Sequence, residues 1–141
     1  VGDPSALFVD SVRSAEKKKV VRLVDQDFRK QIAETEIKVH YRPFKLAELI
    51  RAFDAGGIPI VLISSHRLYR ERFPHWLVIT GHDKDFIYAH DPLVEDAAHK
   101  SAIDRMAMPI LKRDFERMAR YGKAQLKAAL VIRKIQKEAA S

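Results

Sequence analysis

Cysteine is absent from the 141 residues, which removes disulfide bonds and thiolate metal sites from consideration. No apolar run approaches the roughly 20 residues that a membrane-spanning helix needs. No internal repeat is present, and neither a His-x-x-x-His pair nor a dense cluster of metal ligands occurs. What remains is a chain with 47% hydrophobic content, enough at this length for a real core, so one folded domain over residues 1–141 is expected rather than disorder. It reads as soluble and cytoplasmic. Lys and Arg number 26 against 19 Asp and Glu, a net charge of +7, which permits an acidic partner without identifying one.

Along the chain, Ala6 to Val9 is a short apolar piece fit for a strand. Ser14 can then cap a helix with Glu16 in its first turn, and Val20, Val24, Phe28 and Ile32 recur every four residues to give it an apolar stripe. Ile37 and Val39 alternate with Lys38 and His40 before Pro43, the pattern of a half-buried strand. A second helix carries Leu46, Leu49, Ile50 and Phe53 on one face and ends at Gly56 and Gly57. Ile58 to Ile63 is short and continuously apolar, which predicts a central strand buried on both faces. Farther on, Leu93 to Asp104 is polar and without a period. Leu111, Phe115, Met118 and Ala119 form a third helical stripe closing at Gly122, Ala128 to Ile132 reads as a last strand, and 133–141 as a frayed tail. This order predicts an α+β domain with a mainly antiparallel sheet and flanking helices.

The most informative stretch runs from Pro74 to Pro92. His-Trp-Leu-Val-Ile-Thr and Phe-Ile-Tyr-Ala are apolar, β-branched or aromatic runs separated by Gly81, Asp83, Lys84 and Asp85, which have turn composition. Two antiparallel strands follow. In a hairpin the start of one strand lies beside the end of the next, so His75 and Asp91 come to the same edge of the sheet. A carboxylate there can accept one ring N–H, fix the tautomer, and leave the other nitrogen to take a proton from a nucleophile. The competing reading has His75 merely opening a strand and Asp91-Pro92 merely closing one.

Gly57-Ile58-Pro59-Ile60-Val61-Leu62-Ile63, then Pro74-His75-Trp76-Leu77-Val78-Ile79-Thr80-Gly81, then His90-Asp91-Pro92 together resemble the peptidase-like relatives of the cysteine peptidases that remove double-glycine leaders from bacteriocins. Those proteins are papain-like. The opening Leu7 to Lys18 is similar to the middle of an uncharacterised bacterial branch of that superfamily, and the resemblance extends to about Ile132. In the family a histidine follows a Gly-x-Pro strand and an aspartate ends the next strand, positions that fall on His75 and Asp91. The family's catalytic cysteine lies upstream, on a helix that begins its domain. The resemblance therefore implies a papain-like cysteine-peptidase half without its nucleophile. Two explanations stand: a piece of a longer protein, or a natural chain that has lost peptidase chemistry. The start at Val-Gly-Asp-Pro, with no initiator Met or signal segment, favours the piece. The parent is then expected to cleave peptide or amide bonds, and the chain by itself to be inactive.

Around this pair, Trp76 could wall a cleft, with core packing as the plainer reading, and Arg67, Arg70 and Arg72 could meet a substrate carboxylate or simply form a solvated loop. No cofactor is implied. His82 and His90, with Asp83 and Asp91, invite a metal reading, but their spacing is not that of a ligand set, and no metal is expected. The expected partners are a peptide or protein substrate and either a cysteine-bearing segment or a second copy that covers exposed apolar surface. The alternatives are a non-catalytic peptide-binding or protein-binding domain and a nucleic-acid-binding module. Against the last, the basic residues are scattered among acids with no aromatic stacking platform.

Overall fold

The computed structural model describes residues 14–66, 74–92 and 103–134, the side chain of Asp104 excepted. They fall into two units, one within Val1–Pro43 and Gly122–Leu126, the other within Phe44–Tyr121 and Lys127–Ser141. The expected strand at Ala6–Val9 and most of the stretch from Leu93 to Asp104 lie outside the described residues.

In the first unit, helix α1 (Ala15–Ala33) starts where Ser14 takes an extended conformation and its side chain accepts from the Lys17 N–H. Asp25 and Arg29 pair one turn apart at 2.7 Å, and the Arg29 guanidinium lies 4.9 Å from the centre of the Tyr41 ring. The apolar stripe forms as expected, yet α1 contains no buried residue, and Val20, Leu23, Val24 and Phe28 are exposed. Ile37 and Val39 do not form the expected strand; residues 37–40 carry no regular structure and both side chains are exposed. Alternation supplies strand propensity, but a strand exists only where a neighbour takes its N–H and C=O groups, and among the described residues this segment has no ladder partner.

The second unit is α+β. Helix α2 (Leu46–Asp54) is followed by β1 (Ile58–Ser64), β2 (Pro74–His82), β3 (Phe86–His90), a 3-10 turn at Ile103–Arg105, β4 (Met108–Leu111), α3 (Lys112–Met118) and β5 (Ala129–Ile132). The five strands are ordered β4-β3-β2-β1-β5, and every pairing is antiparallel. Gly56 supplies the positive φ of +82° between α2 and β1. A Cβ on the next residue, Gly57, would lie 2.8 Å from the Ala52 carbonyl oxygen and 2.9 Å from a Val131 methyl, so only glycine fits there.

The core lies on one sheet face. Val61 and Ile63 of β1, Leu77 and Ile79 of β2, Ile87 and Ala89 of β3 and Ile110 of β4 pack with Leu46 and Leu49 of α2 and with Phe115 and Met118 of α3. Strand β1 is interior, as its unbroken apolar run predicts, although Ile58 at its start is exposed beside Ile132 of the edge strand β5. Strand β4 was not announced by the pattern. It holds Leu111, expected in the third helix, and tolerates Pro109 because it is an edge strand.

Candidate active site

The side-chain period of 2 in β2 decides what His75 can reach. His75, Leu77 and Ile79 are buried, whereas Trp76 and Thr80 are exposed, so the histidine points to the core face and the tryptophan to the other. Across β1 the neighbour of His75 is Ile63, and that of Leu77 is Val61. Across β3, Val78 pairs with His90 and Ile79 with Ala89. One further step in that register brings Asp91 beside Leu77, diagonal to His75 and on the same face, within reach of a side-chain contact.

The contact is made. Nε2 of His75 and Oδ1 of Asp91 are 2.6 Å apart, with 10% of the histidine side chain and none of the aspartate side chain exposed. With an ionised carboxylate and a neutral imidazole, this contact puts the hydrogen on Nε2 and the lone pair on Nδ1. That tautomer makes Nδ1 the atom that can receive a proton from a nucleophile. The main chain at Asp91 is fixed as well: its backbone N–H donates to the Arg105 carbonyl at 3.0 Å, tying the end of β3 to the 3-10 turn.

At the far end of the hairpin a second histidine is redirected by a bulge. The register shifts between Ile79 and Gly81, after which Gly81 faces Tyr88 and His82 faces Ile87. The extra residue turns His82 from the Trp76 side to the core side. There its Nε2 meets Oδ1 of Asp54, at the end of α2, at 2.7 Å, and its ring stands edge-on to Phe53. His82, weighed as a metal ligand from sequence, is thus paired with a carboxylate 28 residues away. Among the described residues no group of three or more His, Cys, Asp or Glu could hold a metal ion.

Trp76, 39% exposed, sits opposite Leu62 on the face turned away from His75. Arg67 and Arg70, with Arg72, lie outside the described residues. Arg105 is a buried residue at the site that carries no sequence signal. Only a turn that presses it against the end of β3 reveals it.

A family model described as Peptidase_C39 like family matches residues 1–133. The chain belongs to that family. No curated protein and no solved structure matches it. Membership gives the buried His75–Asp91 pair a peptidase-like context that an isolated ion pair lacks. Among the described residues, no helix is long and apolar enough to cross a membrane.

Proposed function

We propose that this Peptidase_C39-like chain supplies the proton-shuttling half of a papain-like cysteine-peptidase site that cleaves peptide or amide bonds. The observation that carries the reading is the buried 2.6 Å contact from His75 Nε2 to Asp91 Oδ1. The 141 residues contain no cysteine, so the thiol comes from outside them, on a preceding segment or another chain. His75 Nδ1 takes the thiol proton as sulfur attacks the carbonyl carbon, then returns it to the amine as the C–N bond breaks, and water hydrolyses the resulting thioester. Asp91 keeps the ring in the productive tautomer. Alone, the chain hydrolyses nothing. The exposed apolar stripe of α1 supports a covering segment or a second copy as partner, and the proposed setting is the cytoplasm of a bacterium.

The second reading is a peptide-binding or protein-binding domain without catalysis, favoured by the same lack of cysteine. A nucleic-acid module has less support. Lys112, one of the chain's scattered basic residues, is occupied in donating to the Asp83 and Lys84 carbonyls. The discriminating experiment joins the chain to the cysteine-bearing segment and follows hydrolysis of a fluorogenic peptide. His75→Ala should lower kcat by roughly a thousandfold or more with little change in KM. Turnover that survives the substitution, or that never appears, rejects the peptidase reading in favour of binding.

A further inference from the structure

The two outermost strands of the sheet treat their free edges differently. β4 and β5 each pair on one side only, and among the described residues no strand lies beyond either. Next to β4 the Lys112 N–H donates to the Asp85 carbonyl at 2.9 Å. The alternation of antiparallel bonds then turns Pro109 outward, where its missing N–H blunts the edge. For β5 the corresponding bond runs from the Leu62 N–H to the Ala128 carbonyl at 3.0 Å. Counting on in the observed register, Leu130 and Ile132 bond to β1, while the N–H and C=O groups of Ala129 and Val131 point away from the sheet. No proline or charge interrupts Ala129–Ile132, and Leu130, Val131 and Ile132 are 57%, 38% and 54% exposed. Such an edge is a template for one more strand. It is also held in place, because a Val131 methyl occupies the space that a Cβ on Gly57 would need.

Charge decides what that strand is. Between Glu116 and Glu138 the chain has no acidic residue, and Lys127 precedes β5 while Arg133 and Lys134 follow it. The Lys127 ammonium lies 4.7 Å from the centre of the Phe44 ring, which keeps it at its end of the strand. A second copy pairing antiparallel about Leu130 would set Lys127 against Arg133 of that copy, and like charges directly opposite oppose pairing. An extended segment with an apolar centre and an acid at each end meets the same edge with its charges matched. We propose that β5 is a docking edge for such a segment of a partner protein, taken up as a sixth strand. Its backbone satisfies Ala129 and Val131, its apolar side chains cover Leu130 and Ile132 with Ile58 alongside, and its terminal acids meet Lys127 and Arg133. Strand β1 stands between this edge and the strand that carries His75, so docking here does not depend on the peptidase reading.

Peptide binding at low salt tests it. The probe is Glu-Val-Thr-Val-Thr-Val-Glu, acetylated and amidated. Beside it stand the same peptide with Lys in place of Glu and two backbone N-methylated forms of the probe, one at the central Val and one at both Thr. The Glu peptide should bind at least tenfold more tightly than the Lys peptide, a gap that narrows as salt is added. One methylated form should lose binding and the other keep it, because a strand edge bonds alternate residues. Val131→Pro removes an outward N–H without touching a bond to β1, so it should weaken binding at least tenfold and leave the melting temperature unchanged. Arg133→Glu combined with Lys134→Glu, at two exposed positions, should erase the preference for the Glu peptide; if Val131→Pro unfolds the chain, this double variant decides alone. Equal binding of the Glu and Lys peptides, binding of neither, or full binding of both methylated forms overturns the proposal. So does a concentration-dependent dimer of the chain that Val131→Pro abolishes, since the edge then belongs to a second copy.

Discussion

Two histidine–aspartate pairs stand at opposite ends of the β2–β3 hairpin, with nearly the same separation and very different surroundings. His75 and Asp91 are 2.6 Å apart with side chains 10% and 0% exposed; His82 and Asp54 are 2.7 Å apart at 23% and 57%. Distance alone would rank them as equals. What separates them is water: a charge interaction that is worth about 1 kcal/mol in bulk solvent grows several-fold as the effective dielectric falls. Water does not readily reach the buried pair to replace a lost member, while the exposed pair is readily hydrated. A candidate site is therefore marked by the burial that makes an interaction obligatory.

Removing the carboxylates one at a time puts that comparison to the test. Asp91→Ala should cost about 2–4 kcal/mol in denaturant unfolding, because it removes a buried, charge-assisted contact to the imidazole. Asp91→Asn keeps an acceptor and should cost less. If Asp91→Ala costs no more than an exposed substitution, the buried pair has no special standing and its proposed role in orienting His75 weakens with it. Asp54→Ala should cost less than about 1 kcal/mol, with an effect that shrinks as salt is added. A loss at Asp54 as large as that at Asp91 would mean that the end of α2 depends on His82 far more than its exposure suggests.

The two pairs also differ in how readable they are from the chain. His75 and Asp91 are local: two strands of period 2 and a turn of Asp and Lys bring them together, and the observed register does so. His82–Asp54 requires a bulge after Ile79 and a helix that packs on the hairpin from 28 residues earlier, neither of which leaves a mark in the alternation. Arg105 looks like any surface arginine until a 3-10 turn buries it. The same limit explains the strands. Ile58–Ile63 announces itself through an unbroken apolar run, but Met108–Leu111 is four residues long and contains a proline. Ile37 and Val39 show good alternation and form no strand, because pairing depends on a neighbour that local sequence does not specify.

A third carboxylate extends the comparison to its fully solvated end. Asp83 Oδ1 accepts the Asp85 N–H at 2.8 Å and the Phe86 N–H at 2.7 Å, and Oδ2 accepts the Tyr88 hydroxyl at 2.6 Å, so this exposed side chain closes the hairpin turn. The Tyr88 hydrogen bond, followed by the Phe86 and Asp85 N–H groups, holds the Asp83 carboxyl below its ordinary value of 3.8. The same carboxylate, first by hydrogen bonding and then through its charge, pushes the Tyr88 hydroxyl above its ordinary 10.0. Linkage then gives opposite signs at the two extremes. The depressed acid contributes stability that is present above pH 3.8 and lost as pH falls through the lower folded value; the raised phenol contributes stability that is present below pH 10.0 and lost as pH rises through the higher folded one. The turn should therefore loosen at both ends of the pH range and hold between them, the smallest of the expected effects. Side-chain NMR titration of Asp83 and Tyr88 reads it directly, and Asp83→Asn should return Tyr88 toward 10.0. Ordinary titration of both groups in the unaltered chain would mean that water has replaced their hydrogen bond, leaving burial as the only thing that makes a carboxylate pair count in this hairpin.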